Sequence, residues 1–174
     1  MKPCKSRTLA LLVTASALLG LGTAYALPTL TVTSDIKYFS DISFTTALTP
    51  DFGYAKAATA GVYALDTAGV LTPSGGGVIE GGTPHAGSYH IIGSGTQGIT
   101  ISAGNPQLNG GHSTPSAFKC KYGVAAETSC GISVAAPGAS PGTALLVGLT
   151  VTATAATLDG DHDTPSFDLT VVYQ

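Results

Sequence analysis

The stretch Ser166-Phe167-Asp168-Leu169-Thr170-Val171-Val172-Tyr173-Gln174 puts Phe167, Leu169, Val171 and Tyr173 on one side of an extended chain. Asp168, Thr170 and Val172 fall on the other side. A period of two with one apolar side is the pattern of a β-strand that buries one face. No Pro, Lys or Arg interrupts Phe167 to Gln174, and the sequence stops inside the pattern with no turn beyond it. Such a strand is expected to border its sheet with unpaired backbone groups on one side, an edge that proteins normally blunt.

Working outward, the same period recurs and helical periodicity is nearly absent. Ala144 to Thr154 is a long β-branched run, and Gly61-Val62-Tyr63-Ala64-Leu65-Asp66 is a strand closed by a turn at Ala68-Gly69. Val78-Ile79-Glu80 is a short strand bracketed by glycines. Ser88 to Ile92 and Ile99 to Ser102 flank the glycine-rich Gly93 to Gly98 and read as a hairpin. Ala117 to Tyr122 and Gly131 to Ala135 read as a further pair joined by a cysteine-bracketed loop. About seven to nine short strands separated by turn residues predict an all-β protein built as a β-sandwich. An up-and-down barrel is the alternative.

The start of the chain reads as an export signal. Lys2, Lys5 and Arg7 precede the apolar run Leu9 to Leu21, and Thr23-Ala24-Tyr25-Ala26 supplies small residues at a cleavage site after Ala26. The run is shorter than the roughly 20 residues of a spanning helix, which disfavours an uncleaved anchor. Residues 1–26 are therefore expected to be a signal peptide, and the chain to pass the inner membrane. Cys4 goes with the signal, leaving Cys120 and Cys130 as an even pair in an oxidising compartment, where a disulfide is expected over two free thiols.

Composition narrows the function. Only 10% of the 174 residues are charged, against about 25% in an average soluble domain. The formal charge of −3 argues against nucleic acid, which requires a basic face. With 23 Gly and no Trp, the chain has the look of an extracellular β protein whose weakly hydrated surface suits cover by neighbouring subunits.

Leu30-Thr31-Val32-Thr33-Ser34-Asp35-Ile36-Lys37-Tyr38 follows the expected cleavage site and places Leu30, Val32, Ile36 and Tyr38 on one face. Residues 27–40 thus form a candidate arm ahead of a body spanning 41–174. Laid on another copy, such an arm would pair with the unblunted edge and add its apolar side chains to the core. Repeated head to tail, that contact does not close and produces a fibre. Periodicity alone allows equally that the arm is the domain's own first strand, paired in cis.

Phe167-Asp168-Leu169-Thr170-Val171-Val172-Tyr173-Gln174 resembles the ending of pilins assembled by the chaperone–usher route, with Tyr173 penultimate and Gly160 upstream near the position of their glycine. More of the chain is similar to the bacterial family catalogued as domain of unknown function 4402 (DUF4402). The matching pieces are Asp51-Phe52-Gly53, Gly61 to Asp66 with Gly69, Ser88 to Gly93, Ile99-Thr100-Ile101, Val147 to Val151 and Leu169 to Tyr173. That family resembles fimbrial and spore-coat-type subunits. The resemblance implies an incomplete immunoglobulin-like sandwich, a periplasmic chaperone, an outer-membrane usher and a donor strand from the next subunit. Phe167, Leu169, Val171 and Tyr173 would then border the acceptor groove, Leu30, Val32, Ile36 and Tyr38 would fill it, and the fibre would stand on the cell surface. The Cys120/Cys130 pair departs from many pilins, in which the bridge ties early strands.

Catalytic constellations are not evident. No serine sits in a nucleophile elbow, and Ser74-Gly75-Gly76-Gly77 lacks the Lys-Ser that a phosphate loop requires. His85, His90, His112 and His162 form no paired metal face at strand or helix spacing. Asp159-Gly160-Asp161-His162-Asp163 reads either as a solvated turn or as part of a calcium loop, although a distal Glu is lacking. No enzyme, cofactor or metal is expected. A fibre subunit is the leading expectation. The rival is a self-contained secreted sandwich that binds a carbohydrate or host surface, for which loop aromatics are sparse.

Overall fold

A computed structural model of the chain describes residues 36–109 and 111–174. The expected signal peptide and the donor residues Leu30 and Val32 lie outside the described residues. Those described belong, apart from Ile36, to one unit, Lys37–Gln174. They form strands and turns only, as the alternating periods predict.

The strands are β1 (Ser43–Leu48), β2 (Tyr54–Ala55), β3 (Gly61–Leu65), β4 (Leu71–Ser74), β5 (Ile79–Gly81) and β6 (Gly87–Ile92). They continue as β7 (Ile99–Gln107), β8 (Ser113–Tyr122), β9 (Thr128–Ser129), β10 (Ile132–Val134), β11 (Thr143–Ala153) and β12 (Ser166–Tyr173). One sheet runs β1-β6-β11-β3-β4, with β8 also on β11 and β9 on β8. A second runs β10-β7-β12, and β2 and β5 form a small separate pair. Every strand pairing among the described residues is antiparallel.

The two larger sheets share a core. Tyr89 and Ile91 from β6, Cys120 and Tyr122 from β8, and Leu145 and Val147 from β11 pack with Ile99 and Ile101 of β7. Ile132 and Val134 from β10 and the apolar face of β12 join from the second sheet. Facing sheets whose inward residues alternate with polar ones make a β-sandwich, as predicted. Burial raises the pKa of the Tyr89 hydroxyl above its ordinary value of 10.0, because the phenolate loses hydration.

β11 is the centre of its sheet. One border is taken by β8 along most of its length. The other is shared, with β6 beside Thr143 to Val147 and β3 beside Leu149 to Ala153. The change of neighbour falls at Gly148, where a Cβ would be driven into the carbonyl of Leu65. Only glycine lets the two backbones approach there.

Two expected pairings are corrected. Ser88 to Ile92 and Ile99 to Ser102 do not form a hairpin, since β6 pairs with β1 and β11 while β7 pairs with β10 and β12. The glycine-rich connection carries the chain from one sheet to the other. Likewise β8 does not pair with β10. It turns onto the short β9, and the cysteine loop then hands the chain over to β7. Gly131 N–H donates to Ile101 O at 2.9 Å at that crossing.

Candidate functional site

The apolar face of β12 lies where its period of two predicts. Phe167, Leu169, Val171 and Tyr173 turn inward and Asp168, Thr170 and Val172 outward, with Val171 opposite Ile101 and Tyr173 opposite Ile99 on β7. Ile99 and Ile101 are fully buried, yet the four β12 residues are only partly so. The stripe is bracketed by aromatic contacts. Phe118 lies 4.7 Å, ring to ring, from Phe167, and Phe39 lies 5.3 Å from Tyr173.

Among the described residues β12 pairs with β7 alone. Gln174 N–H donates to Gly98 O at 3.0 Å. By the alternation of an antiparallel ladder, Val172 and Thr170 also turn their backbone groups to β7. Leu169, Val171 and Tyr173 therefore direct theirs to the outer border. The residues that present the half-covered side chains also present the outward amides and carbonyls.

The other borders are blunted. β4 contains Pro73, β1 changes register between Thr46 and Leu48, and β9 and β10 are two and three residues long. β12 runs for eight residues with neither Pro nor Lys nor Arg. Proline, bulges and shortness are the usual means of stopping a sheet from adding a strand. On β12 they are missing beyond the register shift between Ser166 and Asp168 at its start.

Around Tyr173 the chain makes a contact that sequence reasoning did not anticipate. The Tyr173 hydroxyl accepts the Ser94 N–H at 2.6 Å and donates to the Ser40 carbonyl at 2.7 Å. Gly93 lies beneath, where a Cβ would come within 2.6 Å of that hydroxyl. Ile42 then packs against the core, so the chain enters the body beside the Tyr173 end of β12. Of the expected donor residues, Ile36 is 67% exposed and Tyr38 83% exposed, and neither belongs to a strand.

Cys120 and Cys130 form a disulfide, with Cα atoms 5.0 Å apart. Cys120 is fully buried on β8, and Cys130 N–H donates to Phe118 O at 3.0 Å. The bridge therefore braces the strand that carries Phe118, one of the two aromatic brackets of the stripe.

The aspartate loop contains hydrogen-bonded turns. Asp161 accepts the Leu158 N–H at 2.6 Å, and Asp163 accepts the His112 N–H at 2.9 Å. These carboxylates, with Asn109 and His162, border an open polar hollow of about 200 Å³. Among the described residues no group of three or more His, Cys, Asp or Glu could hold a metal ion. His85 stands apart, its Nε2 3.9 Å from the Asp51 carboxylate and its backbone bridged to Asp51.

No family model matches the chain, and no curated protein or solved structure matches it.

Proposed function

We propose that the protein is a structural subunit of a bacterial surface fibre that assembles by strand exchange between copies. Of the candidate arm over residues 27–40, residues 27–38 of one copy pair with the outer border of β12 in the next, while Phe39 and Ser40 stay on their own body. Leu30, Val32, Ile36 and Tyr38 of the donor cover Phe167, Leu169, Val171 and Tyr173 of the acceptor. The observation that carries this reading is the coincidence on β12 of an unblunted border and a half-covered apolar face. Either feature alone is common at a sheet edge, but together they match an added amphipathic strand.

Chain direction favours a donor from another copy. Ser40 is fastened at the Tyr173 end of β12. A leading segment laid along its own β12 would therefore run parallel to it, in a protein whose described pairings are antiparallel. A donor from a second copy is under no such constraint and takes the antiparallel ladder, which is slightly more stable per residue. The contact is heterologous and does not close, so it propagates. The resemblance to chaperone–usher subunits and to DUF4402 chains supports the same reading. It adds a signal peptide over residues 1–26, a periplasmic chaperone, an outer-membrane usher and a place on the cell surface.

The test compares chain 27–174 with chain 39–174 by light scattering and melting. The longer chain is expected to form polymers. The shorter is expected to stay monomeric and to gain melting temperature with added peptide 27–38, because a ligand that binds only the folded state stabilises it. Ile36→Asp should abolish assembly without unfolding the subunit. Two monomers of equal melting temperature, indifferent to the peptide, would overturn the reading.

A further inference from the structure

The contact at Tyr173 joins residues 133 apart in sequence. It ties the last described strand to the segment that leads into the body, and three independent features converge on it. The hydroxyl is saturated by two backbone partners, Ser94 N–H and Ser40 C=O. The ring of Phe39 lies against that of Tyr173. The floor is Gly93, the one residue type whose side chain leaves room for the hydroxyl. Residues 36–40 form no strand, and all five are exposed. Among them Phe39 and Ser40 are tied to Tyr173.

We propose that Tyr173 is a positioning residue that clamps the base of the leading arm. By holding Ser40 and Phe39 at the end of β12, it sets the point from which residues upstream of Phe39 leave the body. The clamp goes beyond strand exchange and rests on that reading only for its purpose. An arm whose root is fixed loses fewer conformations when it docks on a second copy, so less of the docking free energy is offset by ordering. The same side chain thus ends the acceptor stripe with its ring and fixes the donor's root with its hydroxyl.

Proteolysis reads the clamp directly. Lys37 is the sole Lys or Arg between Arg7 and Lys56, so trypsin has one site at the arm's root. Cleavage after Lys37 requires several residues on either side to take an extended form, Phe39 and Ser40 included, and the clamp restrains both. In the full chain, Tyr173→Phe keeps the ring and removes both hydroxyl hydrogen bonds. We expect the rate of appearance of the fragment beginning at Tyr38 to rise roughly tenfold, the change in open population that such losses bring. Cleavage after Lys56, an exposed site in the body, serves as the internal control and should not change. Phe39→Ala alters a partly exposed ring and leaves Tyr173 intact. It should raise Lys37 cleavage by a smaller factor, again with Lys56 unaffected.

Unchanged Lys37 cleavage in both variants would overturn the clamp, as would a rise at Lys37 and Lys56 together, which reports general loosening. The outcomes for assembly are separate. Faster Lys37 cleavage in a protein that never polymerises retains the clamp and removes strand exchange. Polymers from a variant with unaltered cleavage do the reverse.

Discussion

β11 and β12 are both long, apolar strands that face the same core, and they differ in what lies beside them. β11 has neighbours on both borders, and its inward residues Leu145, Val147, Leu149 and Val151 are 0–6% exposed. β12 has one neighbour among the described residues, and its inward residues are only partly buried. Their sequences carry the difference. Ala144 to Leu149 is almost continuously apolar, and the outward Ala144 and Leu146 of β11 are part-buried, whereas Phe167 to Tyr173 alternates with polar residues. Burial of an inward side chain depends on strands that flank its own as well as on the opposite sheet. A strand at the border retains exposed apolar surface for another segment to cover.

The largest expected effect tests that difference in energy. Leu145→Ala should cost about 2–5 kcal/mol, the usual range for a leucine in a packed core. Leu169→Ala should cost only about 1 kcal/mol in chain 39–174, since part of its surface already meets water. With peptide 27–38 bound, the Leu169→Ala cost should grow and that of Leu145→Ala should not. Denaturant unfolding with and without peptide measures all four values. Equal costs at the two positions without peptide, or a Leu169→Ala cost indifferent to peptide, would remove the distinction between the strands.

The next effect concerns the link between the two sheets. The disulfide starts on β8, which flanks β11, and ends at Cys130, next to Gly131, whose amide bonds β7, the strand that carries β12. Its loss frees the intervening loop in the unfolded chain and should lower stability by about 2–3 kcal/mol. Replacing both cysteines by alanine and measuring the denaturant midpoint tests this. If the bridge matters chiefly as a brace of the half-covered stripe, peptide affinity at the β12 border should fall as well. A variant with unchanged stability would mean that the chain is held at this crossing by backbone bonds alone.

The strands with a one-sided or continuous apolar pattern were legible in the sequence, as β12 and β11 illustrate. The cysteine pair was legible from its even count and inferred compartment. Partner choice was not. β6 and β7 read as a hairpin because two short apolar runs flank a glycine-rich link, and nothing local says that the link crosses between sheets. β1 went unread because Phe44 and Leu48 are themselves exposed, so its sequence shows no buried face. The clamp at Tyr173 was out of reach for a plainer reason. Ser40, Gly93 and Ser94 are ordinary loop residues until the fold brings them to one hydroxyl.

The smallest effect lies on the well-covered side. Where β8 follows β11, two residues, Ala117 and Phe118, stand opposite the single Leu149 in the register. Ala117 adopts the bulge with φ of 45°, a left-handed conformation in which a Cβ crowds the backbone. The side chain is exposed, so removing it forfeits almost no packing. Glycine relieves the crowding and loses some of the gain to the greater freedom of the unfolded chain. Ala117→Gly is therefore expected to stabilise the subunit by about 0.5–1 kcal/mol, seen as a raised denaturant midpoint at unchanged slope. The substitution leaves Phe118 and its contact with Phe167 on β12 in place, so the affinity of the β12 border for peptide 27–38 should stay as it was. A gain in stability that also tightened peptide binding would mean that the two strands are coupled through β8, and that their borders do not act independently.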